Sequence, residues 1–170
     1  NYMTLCSVYE QIRSEGGNTP QIAFLCSFYD PEAAVESIYD NLYSNGYYSD
    51  LWFQWKGKPL ILADKAEISD PTIKNFFTFR KPQPSYFAGP TGSEQWGWLE
   101  VYPQHSYYEN PSKSEEVTVG IGQNAYSGYL TQMSDARGAR GRSWHDGAKD
   151  TSEGAVNYGY NFQEQWERAL

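Results

Sequence analysis

Two Asp-Pro pairs, each a few residues behind a short apolar run, constrain this chain more than any other feature of its sequence. Gln21–Phe28 (QIAFLCSF) is nearly continuous in apolar residues and reads as a short buried strand, and Asp30-Pro31-Glu32 follows it. An Asp that accepts the first free N–H groups, a Pro already at helical φ and an acid in the first turn together start a helix. Val35, Ile38, Tyr39 and Leu42 then fall on one face, and Asn45-Gly46 ends the run. Asp70-Pro71 repeats the device after the apolar stretch Pro59–Asp64 and opens a short helix through Phe76 or Phe77. Strand then capped helix, twice over, is the pattern of a mainly parallel α/β sheet.

The flanking segments fit that pattern. Leu5, Val8, Tyr9 and Ile12 recur at helical spacing until Gly16-Gly17 stops them. Leu51–Trp55, Lys56-Gly57-Lys58 and Pro59–Ala63 form either a short hairpin or a helix end, a turn and a buried strand. Beyond a Pro-rich loop at Pro82, Pro84 and Pro90, Gln95–Tyr102 (QWGWLEVY) and Glu116–Gly122 (EVTVGIG) are further strand candidates. Residues 123–154 read as a long polar, glycine-rich loop. Asn161–Leu170 closes the chain as a helix with Phe162, Trp166 and Ala169 about a turn apart. A closed barrel takes about 250 residues and eight strands. The expectation is therefore an α/β fold of the (β/α)8 TIM-barrel type, present as one partial domain over 1–170, with the remainder of the barrel supplied by sequence outside the chain.

Composition removes several function classes. The net charge of -8 is the wrong sign for a phosphate backbone, so nucleic acid is not an expected partner. No run of about 20 apolar residues offers a membrane span. Cys6 and Cys26 are expected to be buried free thiols, and without CxxC or HExxH there is no structural-zinc or zincin signature. No metal and no cofactor is expected. Aromatic residues make up 17% of the chain, mostly Tyr and Trp, which carry a flat apolar face and a polar handle. Such rings fill cores, and they also stack on the C–H faces of sugars.

In parallel α/β sheets the site lies at the carboxyl ends of the strands. That rule picks out Asp30, Asp64, Glu100 and Gln123. Glu100 is the leading catalytic candidate: among Trp96, Trp98 and Tyr102, desolvation would raise its pKa and suit it to donate a proton. On a regular strand Trp96, Trp98 and Glu100 form an i, i+2, i+4 row on one face. Glycoside hydrolysis usually needs a second carboxylate, which is Asp64 or a group outside the chain. Substrate-binding candidates are Trp96, Trp98, Tyr102, His105, Gln123, Arg140, Trp144 and His145. Arg137, Arg140 and Arg142 could clamp an anionic sugar, whereas His105 and His145 lack the spacing of a nearby metal set. Three functions are consistent with these residues: a glycoside hydrolase, a non-catalytic glycan-binding protein on a hydrolase-like barrel, or a partner-binding domain.

Tyr48–Asp64 (YSDLWFQWKGKPLILAD), Gln95–His105 (QWGWLEVYPQH) and Gly159–Leu170 (GYNFQEQWERAL) together resemble bacterial proteins of the glycoside hydrolase family 71 and 99-like group, with WGWLEVYPQ the most specific stretch. The resemblance implies a (β/α)8 barrel acting on polysaccharide or oligosaccharide, periplasmic or extracellular, without a cofactor. It also implies a strand ending in a Trp-Asn-Glu-Trp-like motif after the last helix, a motif that lies beyond this chain.

Overall fold

The computed structural model describes residues 2–120, 125–126, 129–130 and 141–170, and the chain packs as two compact units, Asn1–Pro82 and Gln83–Leu170. The first unit is built as the Asp-Pro pairs require. Helix α1 (Tyr2–Ser14) precedes strand β1 (Phe24–Leu25) and helix α2 (Pro31–Ile38), which continues as a π-turn over Tyr39–Tyr43. Strands β2 (Gln54–Trp55) and β3 (Lys58–Leu62) are followed by helix α3 (Pro71–Phe76) and strand β4 (Thr78–Gln83). Both expected caps form: Asp30 accepts the Ala33 N–H at 3.0 Å, and Asp70 accepts the Thr72 N–H at 2.6 Å. β1, β3 and β4 are parallel, in the order β1-β3-β4, with Phe24, Ile61 and Phe79 in one row across the sheet. The fold is thus α/β with a parallel sheet, and the described strands do not include a closed barrel.

The ambiguous stretch at residues 51–63 is both a hairpin and a buried strand. Lys56 and Gly57 have φ of 54° and 78°, the paired positive values of a two-residue turn that joins β2 antiparallel to β3. β3 then passes between β1 and β4.

The core of this unit gathers around Ile61, Val35, Leu42 and Cys6, all fully buried. Tyr43 packs its ring 4.6 Å from Trp52 and edge-on to Phe77 at 4.7 Å, so part of the aromatic excess serves packing. Cys6 and Cys26 are both free and buried, and burial pushes the Cys26 thiol up to about 11, away from reactivity. One expectation holds only in part on α1: of the row Leu5, Val8, Tyr9 and Ile12, Tyr9 packs on the core and the other three are exposed. The helix turns Cys6, Met3 and Tyr9 onto the core.

The second unit contains three antiparallel hairpins among its described residues. Strand β5 (Gln95–Gly97) leads to a hairpin of β6 (Ser106–Asn110) and β7 (Lys113–Val117). Two shorter hairpins follow, β8 (Ala125–Tyr126) with β9 (Tyr129–Leu130) and β10 (Trp144–His145) with β11 (Ala148–Lys149), and then helix α4 (Tyr160–Ala169). This corrects two strand expectations. Gln95–Tyr102 leaves the ladder after Gly97, because Glu100 turns inward toward hydrogen-bond donors. Glu116 belongs to an antiparallel strand, because Asn110 Oδ1 accepts the Ser112 N–H at 3.1 Å and folds the chain back on itself. The expected loop over 123–154 also contains the β10–β11 hairpin.

Helix α4 inverts the usual pattern, burying Asn161 and Gln165 and exposing Phe162 and Trp166. The buried amides are satisfied: Gln165 donates to Asn161 at 2.8 Å and accepts the Gly120 N–H at 2.9 Å, and Asn161 donates to the Trp144 carbonyl at 2.8 Å. Satisfied amides can be buried at little cost, so the apolar stripe did not decide which face packs.

Ile61 is fully buried at the centre of the parallel strands, whereas Leu5 is exposed. Ile61→Ala should lower the urea-unfolding free energy by about 2–5 kcal/mol at unchanged slope, and Leu5→Ala should change it by less than about 0.5 kcal/mol. The opposite ranking would contradict the assigned face of α1.

Candidate functional site

Glu100 is the node of the second unit. Its side chain is 1% exposed, and it receives three donors from the chain just ahead. The His105 backbone N–H reaches Oε2 at 2.7 Å, the His105 ring nitrogen Nδ1 lies 2.9 Å from Oε1, and the Tyr107 hydroxyl donates to Oε1 at 3.0 Å. With its proton on Nδ1, the imidazole donates to the carboxylate and keeps Nε2 as an acceptor, while 46% of the side chain stays exposed. The ring lies so close to Gly89 that a Cβ there would sit 2.4 Å from His105 Cγ. Glu100 and His105 therefore form a buried-carboxylate, exposed-imidazole pair of fixed geometry.

A second carboxylate joins from β7. Glu116 is paired in register with Tyr107 across the β6–β7 ladder, so the two side chains share a face. Glu116 Oε2 accepts the Gly97 N–H at 2.8 Å. Gly97 is needed for that approach: a Cβ would lie 2.6 Å from Tyr107 Cε2 and 2.9 Å from Thr118 Cγ2. Burial raises the Glu116 pKa, the Gly97 N–H opposes the rise and the charge of Glu100 adds to it, bringing the carboxyl to about 7. Burial and the neighbouring Glu100 charge likewise push the Tyr107 phenol up, so it stays a donor.

The expected residues separate into those brought together here and those held elsewhere. Glu100 and His105 meet. Trp96 donates its indole N–H to Glu115 at 3.3 Å, and Trp98, half exposed, donates to the Tyr86 hydroxyl at 3.3 Å. Because β5 ends at Gly97, the exposed Trp98 and the buried Glu100 do not continue the face that Trp96 begins, which corrects the expected row. Tyr102 precedes Pro103 through a cis peptide and is partly buried. Asp64 lies in the first unit, where it accepts the Ala66 N–H at 3.0 Å and ion-pairs with Lys81 at 2.6 Å. Lys81 and that N–H hold its carboxyl below the usual range, so Asp64 is an anionic cap there and a poor proton donor. Asp30 likewise serves as a helix cap. Gln123, Arg137 and Arg140 lie outside the described residues.

Trp144 and His145 form β10, where the Trp144 carbonyl accepts from Asn161. His145 is flanked by two carboxylates, Asp146 at 2.9 Å from Nδ1 and Asp150 at 3.0 Å from Nε2. Contact with His145, then the Ser152 N–H, pulls the Asp150 carboxyl down to about 2, and Asp150 and Asp146 raise the imidazole in turn.

Sequence reasoning overlooked Tyr107 and Glu116 as site residues. The usable signal was Asn110-Pro111-Ser112, a turn dipeptide that implies a hairpin and so places position 107 opposite position 116. No protein-family model, curated protein or solved structure matches this chain.

The raised Glu116 pKa predicts a pH dependence of stability. The folded protein binds this proton more tightly than the unfolded chain, so the contribution is fully present below the ordinary value of 4.5 and is lost as pH rises through about 7. In chemical denaturation between pH 4 and 8, wild type should lose stability relative to Glu116→Gln across that window. Parallel pH curves for the two proteins would show that Glu116 titrates normally.

Proposed function

We propose that this protein is carbohydrate-active and hydrolyses glycosidic bonds by paired acid and base chemistry at the Glu100, His105 and Glu116 cluster. The observation that carries the reading is Glu116, a carboxyl held near neutral pKa beside a second, fully buried carboxylate. Separating the proton affinities of two neighbouring acids is how hydrolytic sites divide donor from acceptor roles. Protonated Glu116 gives its proton to the leaving glycosidic oxygen as that C–O bond breaks. Both oxygens of Glu100 already accept donors, so its role is to position His105. The imidazole Nε2 takes a proton from the water whose oxygen bonds to the anomeric carbon. The exposed face of Trp98, close to the Tyr86 hydroxyl, offers a stacking surface with a polar rim for a sugar ring.

The resemblance of the Gln95–His105 stretch to glycoside hydrolase families 71 and 99 points the same way. On this reading β1, β3 and β4 form one arc of a (β/α)8 barrel, and the protein works on polysaccharide or oligosaccharide outside the cytoplasm. The described helices include none long and apolar enough to cross a membrane.

A second reading, glycan binding without cleavage, is favoured by the exposure of Trp98 alone. A panel of α- and β-linked glycans separates the two. Hydrolysis predicts release of reducing ends by the intact protein, with Glu116→Gln at least about a hundredfold slower in kcat and still folded. Near-wild-type turnover in that variant would remove Glu116 from the mechanism. Saturable binding without release, abolished by Trp98→Ala, would establish the binding reading instead.

A further inference from the structure

A different set of side chains in the second unit converges on one point with the chemistry of a metal site. Asp146 and Gly147, with φ of 49° and 73°, form the tight Asp-Gly turn between β10 and β11, and this turn puts His145 and Asp146 side by side. Helix α4 brings Glu164 to the same place, where one of its oxygens accepts the Asp146 N–H. One ligand atom from each of His145, Asp146 and Glu164 lies within 4.8 Å of the other two, close enough to share a single ion.

Two independent features distinguish this cluster from a solvated acidic turn. The first is an orphan: Glu164 Oε2 is sealed from water and has no hydrogen-bond partner. A buried carboxylate oxygen without a donor is costly, and a cation relieves that cost where no N–H is available. The second is the histidine's support. Asp150 lies 3.0 Å from Nε2, and the ring packs 4.7 Å from Tyr160. With Nε2–H donating to Asp150, an ion would take the place of the proton that Nδ1 otherwise shares with Asp146, 2.9 Å away. A carboxylate behind a histidine is the arrangement that fixes tautomer and orientation in metal sites.

We propose that His145 Nδ1, Asp146 and Glu164 bind one divalent transition-metal ion of the zinc class, with Asp150 as the outer partner of His145. One imidazole and two carboxylates suit a borderline cation, and three protein ligands leave a position for water. The ion would cross-link the β10–β11 hairpin to α4. The site shares no residue with the Glu100 cluster, so neither assignment depends on the other.

The test is a titration of chelator-treated intact protein with Zn2+ by calorimetry, and with Co2+ by visible absorption. The expected result is one equivalent of Zn2+, and a Co2+ d–d spectrum of a low-coordinate nitrogen and oxygen site. Glu164→Gln and His145→Ala should each weaken binding at least tenfold, and Asp150→Asn by about 10- to 100-fold. Glu167→Gln, which alters an exposed acid on the same helix, should leave affinity unchanged. Absence of saturable binding in the wild-type protein would overturn the proposal without recourse to any variant. Binding that survives in both Glu164→Gln and His145→Ala would overturn it equally.

Discussion

A carboxylate taken out of water must be given donors, and the second unit is arranged around meeting that need for Glu100. The charge is buried, so each lost water contact has to be replaced from the chain itself. Residues 98–105 abandon extended pairing to supply the His105 backbone N–H and ring, and β6 brings Tyr107. Tyr107 can fill its place only because Gly97 has no side chain, and Gly97 in turn hands its N–H to Glu116. The strand ending, the glycine and the second carboxylate thus all adjoin the donors of one buried charge. Removing that charge alone, as in Glu100→Gln, would leave three donors competing for a neutral amide.

The same constraint ties structure to chemistry. Burial is the main reason that Glu116 holds its proton, and the charge of Glu100 adds to it. The acid thus stays protonated at a pH where an ordinary glutamate would not. His105 sits on the opposite terms, anchored by the charge and still half exposed, so the cluster offers a donor and an acceptor at once.

How much of this was legible in the sequence depends on whether local or long-range forces decide each element. The two Asp-Pro caps are local, and both helices begin where those pairs place them. The parallel strands follow from apolar runs set between the helices. Periodicity failed where a helix could pack on more than one face. On α1, Tyr9 of the expected row packs on the core beside Cys6, while Leu5, Val8 and Ile12 stay exposed. On α4, the side chains of Asn161 and Gln165 found partners in the Trp144 carbonyl and the Gly120 N–H, so polar residues went inside. Glu100 was recognisable as an acid among aromatics, but its burial by His105 and Tyr107 was not. Asp64 was singled out by its strand-end position, yet Lys81, seventeen residues on, had already claimed it. The pairing of Tyr107 with Glu116 follows from the Asn110-Pro111 turn, whereas the approach of Glu164 to His145 depends on helix docking, which leaves no spacing that a motif could capture.

The central claim is that burial beside Glu100 keeps Glu116 protonated near neutral pH. The most direct measurement is a carbon-13 NMR titration of the glutamate side-chain carboxyls. One resonance should titrate at about 7, disappear in Glu116→Gln, and move to lower pH in Glu100→Gln, where the neighbouring charge is gone. A set of glutamates that all titrate near 4.5, with nothing changed by either substitution, would contradict the account.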